Sequence, residues 1–446
     1  MSNNPRQLAL KVLVDINKKD AYSNIELNKI GKGLDPRDEN LIRELVYGVI
    51  ENRLYLDHVI TKASKIRLKK LHPHILDIVR MGLYQIIFMD RIPDSAAVNE
   101  SVKLAKKYGH RGSVGYVNGI LRAIIRDKDR FTHIDKEDMV SYISIKYSHP
   151  EWMVKRWIGE FGLDFTESLC KANNERPLLN IRVNSLKISR QDLKARLEEK
   201  GITLKEGQYA RDCLIIQEAQ NITGLQEFKE GLFTIQDESS MLVGQIMDPR
   251  EGSTLLDVCS APGGKATHMA QIMGNKGLVI SRDIYQHKLS LIRENSKRLG
   301  IDILKVENHD ALERDEELVG KVDYLLIDAP CSGLGLIRRK PEIKWQRREE
   351  DIAALSRLQY DIISNVKDYI RLGGNLVYST CTIEKDENIN LIKRFLEENP
   401  NFKLVSLENS LDHKDKLANL KDGYLELYPH IHGTDGFFIA KMIKER

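Results

Sequence analysis

Three side chains that could do covalent chemistry follow apolar runs of the sequence. Asp328 and Cys331 come directly after one run, and Cys381 ends another. Such runs are typical of buried parallel strands, and ligands bind at the carboxyl ends of these strands. Pro330 stiffens the turn after Asp328. A carboxyl group and two thiols at one mouth could supply a proton-transfer group and a nucleophile. The alternative is that both thiols are buried and inert, as free cysteines commonly are.

A glycine-containing turn follows an earlier apolar run and precedes a helical pattern. It consists of Ser260, Ala261, Pro262, Gly263, Gly264 and Lys265, and Cys259 ends the apolar run before it. Glycines let a ligand approach the backbone, and the helix N-terminus offers free N–H groups. A phosphate-binding P-loop is excluded, because it would need glycine at position 259 and Ser or Thr at position 266, where the chain has Cys259 and Ala266.

Two acidic residues follow the next two predicted strands. Asp283 lies 20 residues after Gly263 (283 − 263), where an acidic side chain would bind ribose hydroxyls. Asp310 could accept a hydrogen bond from an adenine amino group. Ribose and adenine recognition without a phosphate loop predicts S-adenosylmethionine as the cofactor. A dinucleotide remains an alternative on these features, although the G-x-G-x-x-G spacing is absent.

The elements that must position these residues alternate between strand and helix from residue 236 onwards, which predicts a doubly wound parallel sheet. The final apolar run, Phe437–Ile443, is predicted to be an edge strand. The other predicted strands are Thr254–Cys259, Leu278–Asp283, Ile303–Glu307, Tyr324–Ile327 and Gly374–Cys381.

The first 130 residues show helical patterns and no convincing strand, which predicts an all-α domain. Within it, Gly112–Gly119 is predicted to be a turn. The basic stretch Lys62–Lys70 could contact phosphates or could be a solvated helix end. Residues 131–235 are predicted to form a linker and a small α/β domain. There, Arg182 and Asn184 could contact RNA or could lie on the exposed face of a strand.

Composition limits the compartment and the partners. A net charge of +4 and a pI of about 8.5 permit a polyanionic partner. The five cysteines contain no C-x-x-C pair, which argues against a disulfide framework and against a zinc site, so no metal is expected. The start lacks an apolar leader core, and no apolar run reaches the ~18 residues of a membrane span. We therefore expect a cytoplasmic protein with no membrane partner.

Four motifs taken in order resemble the motif set of the RNA cytosine-5 methyltransferases of the RsmB/NOP family. They are Asp257–Lys265, Asp328–Gly333, Ser379–Thr382 and Asp435–Phe438. The N-terminal region resembles the antitermination factor NusB. The resemblance covers nearly the whole chain and is strongest over 236–446. It implies a NusB-like all-helical RNA-binding domain at 1–130, a linker and a small α/β RNA-binding domain at 131–235, and a Rossmann-like class I methyltransferase domain at 236–446.

The resemblance also implies a role for each motif residue. Cys381 would be the nucleophile, Cys331 would assist product release, and Asp328 would activate the base beside the cofactor. The loop from Cys259 to Lys265 would bind S-adenosylmethionine, with Asp283 on its ribose and Asp310 on its adenine. Two residues depart from the pattern: Ala266 stands where Thr or Ser is usual, and Leu334 stands where Thr is common.

The implied substrate is 16S ribosomal RNA, unassembled or partly assembled, methylated at carbon 5 of cytosine 967 by a monomeric enzyme. Two alternatives remain: the same chemistry on transfer RNA, or a non-catalytic RNA-binding factor for assembly or antitermination. The intact Asp328, Cys331 and Cys381 argue against the non-catalytic factor.

A basic segment after the Asp328 motif is predicted to contact RNA. Trp345 could stack on a base, and four basic side chains could bind phosphates. The basic residues are Arg338, Arg339, Lys340 and Lys344. The alternative is a solvated loop with a partly buried tryptophan.

Overall fold

The chain forms two compact units. The first unit contains Met1–Glu175 and Ile337–Arg347, and the second contains Arg176–Leu336 and Arg348–Arg446. The computed structural model describes residues 4–19, 23–30, 34–218, 221–412, 414 and 417–445. The expectation that the start of the chain has no leader core falls partly on Met1–Asn3, which lie outside the described residues. No helix in these described ranges is long and apolar enough to cross a bilayer.

The first unit is helical, as predicted. Its helices begin at local signals: Pro36 occupies the first turn of α3, and the Asp35 side chain accepts the Arg37 N–H at 2.8 Å. The helices up to Glu175 are α1 (Pro5–Lys19), α2 (Ser23–Ile30), α3 (Pro36–Glu51), α4 (Arg53–Ala63), α5 (Pro73–Phe88), α6 (Asp94–Tyr108), α7 (Arg111–Arg126), α8 (Lys128–Thr132), α9 (Met139–Tyr147), α10 (Glu151–Phe161) and α11 (Leu163–Ala172).

The predicted turn at Gly112–Gly119 is wrong, because α7 runs through it without interruption. Glycine weakens a helix interior by about 1 kcal/mol relative to alanine. Here the helix carries an apolar face whose residues Val117, Leu121 and Ile124 are fully buried. Tertiary packing of that face therefore outweighs the local preference.

The second unit begins with a small antiparallel sheet in the order β2-β3-β1-β4. The predicted small α/β region is thus confirmed. Its elements are β1 (Leu179–Val183), α12 (Arg190–Glu198), β2 (Thr203–Glu206), β3 (Cys213–Glu218), α13 (Gln226–Lys229) and β4 (Phe233–Ile235).

A mixed sheet follows, with the main order β10-β12-β9-β8-β5-β6-β7 and with β11 paired to β12. Strands β5 to β9 are parallel, as predicted for a doubly wound sheet. The elements are α14 (Glu238–Met247), β5 (Thr254–Asp257), α15 (Gly264–Ile272), β6 (Leu278–Asp283), α16 (Gln286–Leu299), β7 (Leu304–Asn308), β8 (Val322–Asp328), α18 (Glu349–Val366), β9 (Ile370–Thr380), α19 (Ile389–Glu398), β10 (Phe402–Leu404), β11 (Tyr424–Leu427), α20 (Pro429–His432) and β12 (Phe437–Lys444). The short helix between β8 and α18, α17 (Ile343–Gln346), belongs to the first unit.

The expectation that the last strand is an edge strand is wrong. Strand β12 lies antiparallel to β9 on one side and pairs with β10 and β11 on the other. Its burial agrees with an interior position, since Phe438, Ile439 and Ala440 are fully buried. A fully apolar run suits a strand covered on both faces better than it suits an edge.

The compact units also differ from the predicted domain boundaries. Residues 131–175 belong to the helical unit, where the Leu54 N–H donates to Ser148 Oγ at 2.8 Å. Residues 176–235 belong to the second unit because they share a core with the large sheet. Tyr209 and Cys213 pack in the same buried cluster as Met241 and Ile439.

Candidate active site

The parallel strands reverse their order at the pair β5 and β8, and this switch point opens the site. Strand β5 is flanked by β6 on one side and by β8 on the other. Loops that leave the carboxyl ends of such strands diverge and create a crevice. Asp257 ends β5, and Asp328 ends β8 opposite Ser379 of β9. The sequence motifs therefore emerge at one edge of the sheet.

The loop after β5 has the geometry of a ligand-binding turn. Gly263 has a φ of 93°, a left-handed conformation that favours glycine, and it caps the start of α15. The Gly263 N–H donates to the Ser260 carbonyl at 2.7 Å, and Ala261 N–H donates to the Asp283 carboxylate at 3.1 Å. The turn is thus held by its own backbone and by the next strand.

The unusual Ala266 does not leave this turn without a hydroxyl. Ala266 is fully buried, and the next residue, Thr267, donates its Oγ1 hydrogen to the Gly263 carbonyl at 2.8 Å. The neighbouring position therefore supplies a hydrogen bond to the loop.

Four carboxyl groups surround the half-buried Cys259. Burial first, and then the charges of Asp257, Asp328, Asp283 and Asp310, raise the pKa of this thiol well above its usual range. Each charge acts over a short range in a partly desolvated crevice. The structure therefore gathers at one place the three aspartates predicted from sequence, and it adds Asp257.

Asp328 is held by two neighbours. Lys265 Nζ lies 2.6 Å from one carboxylate oxygen, and Ser379 Oγ donates to the other at 2.9 Å. Burial opposes the charge on Lys265, but Asp328 and, to a smaller extent, Cys381 raise the pKa of Lys265 above its ordinary value. Lys265 thus places a positive charge next to the carboxylate and within electrostatic reach of the Cys381 thiol, a role that its place in the glycine turn does not reveal.

The two predicted thiols meet. Cys331 Sγ and Cys381 Sγ are 3.2 Å apart, within hydrogen-bonding distance for sulfur. This contact, followed by burial, raises the pKa of Cys331 well above its usual range. Cys331 therefore stays protonated and can donate its S–H to a thiolate at Cys381.

The closing motif, Asp435–Phe438, acts through close backbone packing. The Gly436 N–H donates to the Gly335 carbonyl at 2.9 Å, and the Gly335 N–H donates to the Cys381 carbonyl at 3.1 Å. A Cβ at Gly335 would lie 2.0 Å from the Gly436 oxygen, so no side chain fits there. The motif thus supports the Cys381 loop from behind.

In the segment predicted to contact RNA, Lys344 and Trp345 instead bind groups of the protein itself. Lys344 is fully buried in the helical unit, where its Nζ donates to the Glu51 carbonyl at 2.9 Å and to Asn174 Oδ1 at 3.1 Å. The Trp345 indole N–H donates to the Ile50 carbonyl at 2.9 Å. Phosphate contact by Lys344 is therefore wrong, since the ammonium has no access to solvent.

The other residues of this segment are less exposed than predicted. Arg338 is buried, with 8% exposure, while Arg339 and Lys340 are half-buried. Glu342 accepts the Ser23 N–H at 3.0 Å and the Ser23 hydroxyl at 2.8 Å. The segment is therefore an integral part of the helical unit, which its local sequence does not indicate.

The suggested RNA readers of the small sheet are also buried. Arg182 is 1% exposed and donates to the Gly264 carbonyl at 2.6 Å, so it supports the start of α15. Asn184 donates to the carbonyls of Gly231 and Leu299, each at 2.8 Å. Both residues join the small sheet to the region of the large mixed sheet instead of facing a nucleic acid.

Three family models together match most of the chain. The model described as "16S rRNA methyltransferase RsmB/F" matches residues 244–443, the NusB family matches residues 3–126, and "Methyltr_RsmF/B-like, ferredoxin-like domain" matches residues 149–223. The fold is thus a NusB-like helical region, a ferredoxin-like insert and a C-terminal methyltransferase domain.

Curated relatives are similar over the full length. "Probable ribosomal RNA small subunit methyltransferase B" of Bacillus subtilis (strain 168) is 40% identical over 99% of this chain and 98% of its own length. "Ribosomal RNA small subunit methyltransferase B" of Pseudomonas putida is 32% identical over 99% of this chain and 98% of its own length.

Solved structures share the fold. The crystal structure of PH0851 covers 100% of both chains with a TM-score of 0.81 and 26% identity. The structure of NSun6 from Pyrococcus horikoshii with SFG, an S-adenosylmethionine analogue, covers 67% of this chain and 98% of its own, with a TM-score of 0.60 and 25% identity. The chain therefore belongs to the RsmB/F family of 16S rRNA methyltransferases, and it is an S-adenosylmethionine-dependent RNA methyltransferase with ribosomal RNA as its substrate.

Proposed function

We propose that this enzyme methylates carbon 5 of cytosine 967 in 16S ribosomal RNA through a covalent adduct on Cys381. The observation that carries the proposal is the 3.2 Å contact between Cys331 Sγ and Cys381 Sγ, beside the paired Lys265 and Asp328. Two thiols, a cation and a carboxylate suit covalent activation of a ring carbon that is otherwise too weak a nucleophile.

The charge of the crevice supports S-adenosylmethionine over a dinucleotide. The carboxyl groups that act on Cys259 would repel a pyrophosphate but attract a sulfonium, even though Lys265 offsets the charge of Asp328 and the pKa of Asp257 is raised to about 7. We assign the loop Cys259–Lys265 to the cofactor, with Asp283 holding the ribose hydroxyls and Asp310 the adenine amino group. When bound, S-adenosylmethionine supplies the methyl group.

The thiolate of Cys381 adds to carbon 6 of the cytosine, and the electron pair of the 5,6 double bond moves towards carbon 5. Lys265 favours that thiolate, because the same interaction that raises the pKa of Lys265 stabilises a negative sulfur. Asp328 lies at the end of β8 and is held by Lys265 and Ser379. Its carboxyl group can accept a hydrogen bond from the cytosine amino group and, when protonated, can give its proton to N3 as negative charge develops there during addition.

Product release reverses the first step. After carbon 5 takes the methyl group, its proton passes to the partly exposed Asp328 carboxylate and from there to solvent, and the bond between carbon 6 and Cys381 breaks as the double bond returns. Cys331 is next to Cys381 and keeps its proton, since the contact with Cys381 and burial raise the pKa of Cys331. It can therefore donate to the departing Cys381 sulfur as negative charge develops there.

The cytosine must leave its base stack to reach Cys381, and single-stranded or loop RNA makes this least costly. We therefore propose unassembled or partly assembled small-subunit RNA as the substrate and a cytoplasmic monomer as the acting form. The exposed side chains of Lys65, Arg67, Lys69 and Lys70 on the helical unit can contact phosphates. Comparing methylation of free 16S RNA with that of mature small subunits tests this substrate assignment.

One denaturing gel with labelled RNA tests the covalent mechanism. We expect Cys381→Ala to give neither methyl transfer nor an adduct, because no sulfur can add to carbon 6. We expect Cys331→Ala to accumulate an adduct that survives denaturation, because addition proceeds and elimination stalls. An adduct in Cys381→Ala with none in Cys331→Ala would reverse the two roles, and no adduct in either variant would overturn the mechanism. Bisulfite sequencing of RNA from a deletion strain identifies the cytosine.

A further inference from the structure

Glu387 and Asn388 are two consecutive buried polar residues at the start of α19. Their side chains are 0% and 2% exposed, and neither has a part in the proposed chemistry. Desolvated polar groups are stable only when they make hydrogen bonds. The partners of these two side chains are therefore informative.

Glu387 holds the loop that carries Cys331. One carboxylate oxygen accepts the Ser332 N–H at 2.8 Å and the Gln359 amide N–H at 2.8 Å. The same Gln359 nitrogen donates to the Pro330 carbonyl at 2.9 Å. The backbone is thus fixed on both sides of Cys331 by one connected set of hydrogen bonds.

Asn388 does the same for Cys381. Its Nδ2 donates to the Thr382 carbonyl at 3.0 Å, and its Oδ1 accepts the Thr380 hydroxyl at 2.5 Å. The residues before and after Cys381 are therefore both bound to one side chain.

We propose that Glu387 and Asn388 are positioning residues that together set the separation of the two reactive sulfurs. Because Glu387 and Asn388 share a peptide bond, a shift of the Cys331 loop would also displace the side chain that holds the Cys381 loop, and the reverse is equally true. The proposal rests on the proposed covalent function, in which Cys381 must reach carbon 6 while Cys331 stays close enough to donate a proton to the Cys381 sulfur. A displacement of about 1 Å can lower a rate on the order of 10²-fold.

Further contacts keep the pair itself in place. The Tyr378 hydroxyl donates to the Glu387 carbonyl at 2.7 Å, and the hydroxyls of Ser332 and Thr382 lie 2.7 Å apart, which joins the two loops directly. Burial raises the pKa of Glu387, so the structure holds this carboxyl despite an unfavourable environment for its charge. A residue that only filled space at this position would not need a carboxyl group.

Cross-linking of the thiols tests the positioning role without any RNA. Diamide takes up two electrons and two protons as two thiols form one disulfide, so the five thiols of the denatured chain fall to three. Peptide mapping identifies the pair. We expect the wild-type protein to form the Cys331–Cys381 disulfide rapidly. The Glu387→Ala and Asn388→Asp variants should form it at no more than about one tenth of the wild-type rate.

Matched variants separate positioning from stability. Asn388→Asp is nearly isosteric but loses the donor to Thr382, and Glu387→Gln keeps an acceptor and should restore most of the rate. Asn390→Ala is the control, because Asn390 is exposed on the same helix and its side-chain amide donates to the Asp386 carboxylate at 3.0 Å. Melting temperatures establish that the proteins compared are folded.

Methyl transfer completes the test. We expect a fall in kcat of about tenfold to 10²-fold for Asn388→Asp, with an unchanged KM for RNA and unchanged affinity for S-adenosylhomocysteine. Wild-type cross-linking rates in folded Glu387→Ala and Asn388→Asp would overturn the inference, as would a wild-type protein that forms no Cys331–Cys381 link. Loss of the proposed function would be distinct: the wild-type enzyme would then leave carbon 5 of cytosine unmethylated, whatever the cross-linking rates.

Discussion

Two consecutive stretches of chain, Val322–Gly335 and Ile337–Arg347, use their polar side chains in opposite ways. In the first, Asp328 lies at the end of β8 in a crevice with Lys265, and its side chain is 30% exposed. In the second, Lys344 is fully buried in the helical unit among backbone and amide acceptors. The carboxylate of the first stretch is available to a ligand. The Lys344 amine of the second stabilises packing through its hydrogen bonds, although burial lowers the pKa of Lys344 to about 7.

The difference shows that a basic residue next to an active-site motif does not identify a nucleic-acid contact. Lys344 and Trp345 donate to the carbonyls that end α3, Glu51 and Ile50. Cations and N–H donors are favourable at a helix C-terminus because the last carbonyls have no helical partner. Helix capping from a distant part of the chain is therefore the role of these two side chains.

The largest expected effect concerns Asp257 beside the first stretch. Burial, followed by the charge of Asp328, raises the pKa of Asp257 to about 7 from 3.8. Between pH 3.8 and about 7, the folded protein keeps the proton on Asp257, whereas the unfolded chain has lost it. The unfolding free energy should therefore decrease as pH rises through this range. Asp257→Asn should remove up to roughly 4 kcal/mol of this decrease between pH 4 and 7. Urea unfolding at several pH values measures it, and parallel curves for both proteins would contradict it.

Lys265→Met should affect chemistry more than stability. Without the ammonium, Asp328 and the Cys381 thiolate lose their shared positive partner. We expect methyl transfer to fall about 10²- to 10³-fold, the size typical of one electrostatic contact in a reaction site. Single-turnover rates measure this loss. A variant that is unfolded but whose residual folded fraction is fully active would assign Lys265 to stability instead.

Lys344→Met should show the reverse pattern. It removes the donor from the Glu51 carbonyl and from Asn174, which leaves buried acceptors unsatisfied. We expect a loss of about 1–3 kcal/mol in unfolding free energy, with unchanged RNA affinity for the folded protein. Lys11→Met is the control, because Lys11 is exposed on α1. Weaker RNA binding at unchanged stability would restore the phosphate-contact interpretation.

Asp283→Ala should give the smallest effect. The carboxylate binds Ala261 N–H and Tyr285 N–H, and we assign it to the cofactor ribose. Each lost hydrogen bond to a neutral ribose weakens binding by about 1 kcal/mol, roughly fivefold. Calorimetry with S-adenosylhomocysteine measures it, with the exposed Asp302→Ala as the control. Unchanged affinity would remove Asp283 from the site.

Local patterns in the sequence predicted the parallel sheet and the convergence of Cys331 with Cys381, because both follow from strand ends and their order. They did not predict the burial of Arg182 or Lys344, whose partners lie 82 and 293 residues away. They also missed Glu387 and Asn388, since no periodicity marks a residue that bonds to two loops. The prediction of a turn at Gly112–Gly119 was wrong for a related reason, because packing of α7 outweighed the local preference of glycine.

The hydrogen bonds between Ser23 and Glu342 span 319 residues of sequence, and this has a consequence for synthesis. A chain emerging from the ribosome at ~5–20 residues per second presents its first helices long before Ile337–Arg347 exists. Until then, the carbonyls of Ile50 and Glu51 lack their donors from Trp345 and Lys344 and must be hydrated instead. Closing so long a loop slows the last packing step relative to local helix formation. We expect protection of α3 amides from hydrogen exchange to appear only in chains that extend past residue 347.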